Sequence, residues 1–125
     1  MSFLKVTALA IPPLIFVRDK IFQFQIIFGD SMSPTLKSGD IVFVDKNPGN
    51  LKIGDVVMFA SPIRPQRLVK RITRSRKSGE ISMFWVEGDN RDVSVDSAVF
   101  GEINAHLIQG RAEAIVFPFS RFRWI

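Results

Sequence analysis

Two residues stand in settings where their side chains could do chemistry, a serine hydroxyl and a lysine amine. Ser31 lies in the segment Gly29-Asp30-Ser31-Met32-Ser33-Pro34-Thr35-Leu36. A serine hydroxyl is a weak nucleophile until a neighbouring base takes its proton. In a glycine-containing turn after a strand, both the hydroxyl and the backbone N–H groups that hold an oxyanion are exposed. Pro34 and Thr35 would stiffen such a turn, and Met32 is placed to pack beneath it. Lys70 lies in Leu68-Val69-Lys70-Arg71-Ile72. Burying a lysine cation is costly, so burial lowers its pKa, and the neutral amine is then a competent general base. Taken singly, each residue also has a plainer reading, an incidental turn serine and a strand lysine whose amine reaches solvent.

Composition narrows the choice of base. The chain has no cysteine and a single histidine, His106, which removes disulfides, thiolate metal sites and a cysteine nucleophile. One histidine also makes a multi-histidine metal site hard to build. His106 itself reads as a surface or capping side chain. No metal or organic cofactor is implied.

A third segment, Trp85-Val86-Glu87-Gly88-Asp89-Asn90-Arg91-Asp92-Val93-Ser94-Val95-Asp96-Ser97, then Phe100-Gly101, is a hydrogen-bonding loop by composition. Such a loop can supply a hydroxyl that orients an amine. Asp89 reads as a turn-former.

The elements that must position these residues are short strands. Ile21 to Phe28 alternates partly and is rich in β-forming types. Gly39-Asp40 and Gly54-Asp55 launch the apolar runs Ile41 to Val44 and Val56 to Phe59. Further strands are expected at Arg67–Thr73, Ile81–Glu87 and Gly110–Phe117, and a helical turn at Asn104 to Ile108. Arg71, next to Lys70 on its strand, should face the other way and pair with a carboxylate or headgroup. The expectation is a mainly β domain with a barrel-like or folded-sheet core.

The chain carries a net charge of +5. Its basic residues concentrate between Arg64 and Lys77, where no recognition helix or interleaved aromatics accompany them, so nucleic acid is not the expected partner. Val6 to Val17 is apolar and flanked by Lys5 and Arg18. As a helix it would span only about 18 Å against ~30 Å of hydrocarbon, and Pro12 and Pro13 disfavour a straight one. Residues 1–22 are therefore expected to form a short or tilted membrane anchor or an interfacial segment, and less readily a buried core element, with residues 23–125 as the folded domain. Near the C-terminus, Phe119, Phe122 and Trp124 interleave with Arg121 and Arg123, which suits either a membrane interface or a packed terminus.

In this order, Gly-x-Ser-Met-x-Pro-Thr-Leu, Lys-Arg-Ile, and Gly-Asp-Asn followed by Ser-x-Asp-Ser and Phe-Gly, the chain resembles signal peptidase I. That resemblance implies a mainly β serine endopeptidase lying against a membrane and removing targeting segments after small residues. It implies Ser31 as nucleophile, with its N–H in the oxyanion hole, and Lys70 as general base. It further implies Ser94 as the hydroxyl bonded to the lysine amine and Asp96 as a brace of the loop. Gly29, Met32 and Pro34 fall in the substrate and oxyanion neighbourhood. Two departures stand out. Gly29 occupies a position where some bacterial members carry an oxyanion-hole serine. Ala98 replaces the arginine that usually faces the aspartate, leaving Asp96 in want of another partner such as Arg91.

The small size, Ser61-Pro62 and Pro65 before the lysine, and the ending Ile115-Val116-Phe117-Pro118 resemble the mitochondrial inner-membrane branch, in the manner of its second subunit. This implies a protein facing the intermembrane space, paired with a homologous subunit and acting on imported precursor polypeptides. A short bacterial signal peptidase in the plasma membrane is the alternative. A self-cleaving repressor-type regulator or a non-catalytic subunit fits less of the pattern.

Overall fold

The computed structural model describes residues 14–17 and 20–125. Among these, antiparallel strands make a single mainly β sheet: β1 (Leu14–Val17), β2 (Lys20–Ile26), β3 (Ile41–Asp45), β4 (Val56–Ala60), β5 (Arg67–Ser78), β6 (Ile81–Glu87), β7 (Ile103–Asn104), β8 (Ile108–Phe117) and β9 (Arg123–Trp124). Their order is β1-β2-β3-β8-β4-β5-β6-β7, with β9 on β8. One short helix, α1 (Ser97–Phe100), and two 3-10 turns, η1 (Ala105–Leu107) and η2 (Phe119–Arg121), complete the fold.

The apolar run Val6 to Val17, expected as an anchor, lies mainly outside the described residues. Its last four residues form β1, paired with β2 from Leu14↔Gln23 to Val17↔Lys20. No helix of the described residues is long and apolar enough to cross a membrane.

The sheet folds around two cores, and β4 serves both. Val56 and Met58 pack with Ile27, Met32, Leu36, Val42, Val44, Ala112 and Ile115. Val57 and Phe59 point the other way and join Ile72, Phe84, Val86 and Ile103. This is why β4 reads as unbroken apolar sequence: alternate side chains enter opposite cores and neither face meets water. Strand β5 divides instead along its length. Lys70 and Ile72 are buried, whereas Arg74 to Ser78 are exposed on the hairpin with β6. The basic run is thus largely solvated, with Arg76 bonded to Glu102 and Arg74 over the Trp85 ring. The helical turn expected near His106 is η1, and His106 is exposed there.

Among the described residues, two strand edges are left open where the site lies. Among the same residues, strand β1 covers β2 from Lys20 to Gln23. Strand β6 covers β5 only from Arg71 onward. Residues 25–28 and 67–70 consequently face each other across a cleft whose floor is Ser31 and Met32.

Candidate active site

The loop between β2 and β3 presents Ser31, and it closes on itself at its neck. Ile27 N donates to Asp40 O at 2.8 Å and Gly39 N to Ile27 O at 2.7 Å. Gly29 has φ +82°, in the left-handed region that favours glycine, and its N–H donates to Ser38 Oγ at 3.2 Å. Met32 and Leu36 are fully buried and fasten the loop to the core. The expectation that Met32 packs beneath the turn holds. It also accepts a hydrogen bond at Sδ from Asp89 N, 3.4 Å. Pro34 is exposed further along the loop, after a cis peptide bond from Ser33, and lines neither cavity beside Ser31.

Strand β5 brings Lys70 to the same place. Ser31, Met32 and Lys70 line the cleft between residues 25–28 and 67–70. Gly29, Asp30, Ser31 and Lys70 line the adjoining cavity together with Val93 and Val95. Lys70 is only 3% exposed. Its Nζ donates to Ser94 Oγ at 3.2 Å, and the same oxygen accepts from Gly88 N at 3.1 Å. Burial pulls the Lys70 pKa below its ordinary value, partly offset by the charge of Asp96. An amine held in this way gives up its proton more readily than a solvated lysine. It can then receive one from a hydroxyl across the cavity.

Asp96 is buried, but its partners are backbone groups. Oδ1 accepts from Ala98 N at 3.0 Å as the N-cap of α1, and Oδ2 accepts from Gly88 N at 3.3 Å. The suggestion of Arg91 as its partner is corrected: Arg91 pairs with Glu87, one helical-turn spacing away. Two N–H groups thus meet the carboxylate where an arginine was missing. The neighbouring Ser97 is also buried, and its Oγ accepts from Val86 N at 2.8 Å.

Sequence reasoning passed over Gly88. A Cβ there would stand 2.3 Å from Ser94 Oγ and 2.5 Å from Ser31 O. Only hydrogen fits between the serine loop and the hydroxyl that holds Lys70. The Gly-Asp-Asn run carried a signal of this, but the reason is a contact between segments far apart in sequence. Beside Gly88, Asn90 N donates to Ser31 O at 2.8 Å and Asn90 Nδ2 to Asp30 O at 3.1 Å.

Asp89 has more to do than form a turn. It accepts from Thr35 Oγ1 at 2.6 Å and from Arg71 through both Nε and Nη2, at 2.9 and 2.8 Å. Burial disfavours its charge, yet the bonds from Arg71 and Thr35 win and hold its pKa below the usual carboxylate value. Arg71 therefore faces a carboxylate, as expected of a residue one step from Lys70 on a strand. At the other end of the cleft, Arg67 Nη1 donates to Gln25 Oε1 at 3.0 Å and joins its two walls. Among the described residues no group of three or more His, Cys, Asp or Glu is placed to hold a metal ion.

Comparison with known proteins adds to this geometry. Residues 1–73 match the family model described as signal peptidase, peptidase S26. The chain is 31% identical to mitochondrial inner membrane protease subunit 2 of Saccharomyces cerevisiae, over 96% of this chain and 84% of that one. It is 35% identical to the subunit 2 of Schizosaccharomyces pombe, over 89% and 73% of the two chains. Against mitochondrial inner membrane protease subunit 1 of Mus musculus it is 32% identical, over 78% and 70%. The matched family residues include both Ser31 and Lys70, the relatives extend the similarity through the third loop, and the chain belongs to the signal peptidase family, peptidase S26.

Proposed function

We propose that this chain is a membrane-associated serine endopeptidase that removes N-terminal signal or sorting segments from precursor polypeptides, with Ser31 as nucleophile and Lys70 as general base. The observation that carries the reading is Lys70, a buried strand lysine bonded to a hydroxyl and lining one cavity with Ser31. Lys70 in its neutral form takes the Ser31 proton as Oγ attacks the scissile carbonyl. The resulting ammonium then gives that proton to the leaving amine, and a water molecule repeats the sequence to release the acyl group. Ser94 holds the amine in place, and Asp96 holds the loop that carries Ser94. The Ser31 N–H faces the developing oxyanion.

The edges of β2 and β5 that are open among the described residues support a peptide substrate. An extended segment entering the cleft can pair its backbone with both walls, as strands do when a peptide completes a sheet. The relatives named as mitochondrial inner membrane proteases support an inner-membrane location facing the intermembrane space, and their names as subunits 1 and 2 support pairing with a homologous subunit. Residues 1–22 are assigned to membrane attachment and residues 23–125 to catalysis. Phe119 and Trp124, 79% and 80% exposed, suit contact with the lipid interface. No cofactor takes part.

The test is processing of a precursor by the full chain and its Ser31→Ala and Lys70→Met variants in membranes. Cleavage should fall to background in both while the folded protein accumulates normally. Persistent cleavage in Ser31→Ala would remove the nucleophile assignment, and persistent cleavage in Lys70→Met would remove the base.

A further inference from the structure

The serine loop is held at its neck and beneath by its own residues, and from outside by a segment distant in sequence. Residues 118–125 run past it as η2 and β9. Strand β9 is fixed to β8 through Ala114↔Trp124 and Ile115↔Arg123, Ile125 N donates to Glu113 O at 2.9 Å, and Ile125 packs on the first core. From this fixed rail two guanidinium groups reach inward. Arg121 binds Asp40 through Nε to Oδ1 and Nη2 to Oδ2, both at 2.9 Å, and also reaches Thr35 O at 3.4 Å. Arg123 Nη2 donates to the same Thr35 O at 2.7 Å.

The two ends of this grip are chemically different. Asp40 is 2% exposed and closes the loop neck, its Oδ2 accepting from Lys37 N at 2.8 Å. Thr35 is a junction: its carbonyl accepts from the arginines, while its hydroxyl donates to Asp89, which is bound in turn to Arg71. Arg71 adjoins Lys70 on β5. The loop bearing Ser31 is therefore stretched between the rail on one side and the lysine strand on the other.

We infer that Arg121 and Arg123 are positioning residues for the reaction, setting where Ser31 stands relative to Lys70 by holding the loop at Thr35 O and Asp40. The inference rests on Ser31 and Lys70 being the reacting pair. Arg123 is the cleaner probe, because its side chain is exposed and its loss leaves no buried charge behind. Small misplacements of a reacting atom cost rate much more than they cost folding.

The experiment compares wild type, Arg123→Ala, Arg123→Lys and Ser31→Ala as full-length chains in detergent. The substrate is an internally quenched peptide with small residues before the scissile bond. Arg123→Ala should lower kcat roughly ten-fold, leave KM and the thermal midpoint close to wild type, and speed hydrogen exchange at loop amides 31–36. Arg123→Lys, which keeps a donor to Thr35 O, should recover part of the lost kcat. Asp40→Asn with Arg121→Met removes both charges of the neck pair together and should lower kcat again without restoring the wild-type value. An unchanged kcat in Arg123→Ala overturns the inference, as does a loss of kcat matched by a lost folded fraction, or a lysine variant no better than alanine. Activity surviving in Ser31→Ala would instead overturn the underlying assignment of the nucleophile.

Discussion

Lys70 and Arg71 are neighbours on one strand and both are basic, yet their surroundings treat them in opposite ways. Lys70 points to the side where Ser94 offers a hydroxyl, and burial draws its pKa down. Arg71 points to the side where Asp89 offers a carboxylate for a two-pronged bond, and that bond outweighs burial and draws its pKa up. The strand's alternation makes the difference possible, since a one-residue step moves a side chain to the opposite face. A cation given its counter-ion is a strut. A cation hydrogen-bonded to a neutral hydroxyl and shielded from water loses its proton more readily, and the same strand carries both side chains.

Exchanging the two roles should have the largest effect. Lys70→Arg places a permanent cation on the reactive side, because a guanidinium does not lose its proton in proteins. Precursor cleavage should fall by roughly 10³-fold, measured as kcat/KM, while the circular dichroism spectrum stays native. Near-normal activity would mean that no deprotonated amine is needed at this position.

On the strut side, Asp89→Asn removes the counter-ion of Arg71 while keeping the size of the side chain. It should cost about 1–3 kcal/mol of unfolding free energy at neutral pH. The sign of its pH dependence follows from the lowered pKa of Asp89. A carboxylate depressed in the folded state stabilises above its unfolded pKa and loses that contribution as pH falls through the folded value. The gap between wild type and Asp89→Asn should therefore close in acid. A gap that is independent of pH would remove the ionic account of this strut.

The subtlest test acts on the base through its neighbour. The charge of Asp96 raises the pKa of Lys70 against the larger lowering effect of burial. Asparagine caps a helix as well as aspartate does, so Asp96→Asn leaves the N-cap of α1 in place and removes the charge. Activity should rise with pH as Lys70 loses its proton, and in Asp96→Asn that rise should move to lower pH. A shift to higher pH would contradict the charge coupling.

Much of the fold was legible because its longer strands carry local signals. Ile41 to Val44 and Val56 to Phe59 are apolar runs behind Gly-Asp turns, and both are strands. The expected segments at 67–73, 81–87 and 110–117 lie within β5, β6 and β8. The two-residue strands β7 and β9 had no such signal, since strands so short exist only through the neighbours that pair with them. Ser31 and Lys70, expected from segments far apart in the chain, line one cavity. Asp96 was less readable, because its partners are backbone N–H groups, which any residue carries.

By itself, then, the sequence determined the chemical inventory: a serine in a turn, a lysine in an apolar strand, no thiol, and a loop of short polar residues, set in a chain with β periodicity. These are properties of residue type and near-neighbour spacing, and local physics acts on them directly. The tertiary structure alone decided that Gly88 has no room for a side chain, that Thr35 joins Asp89 to Arg121 and Arg123, and that residues 25–28 and 67–70 line one cleft. Each of these depends on segments far apart in the chain arriving within bonding distance. That distance is set by how the whole sheet folds around its two cores.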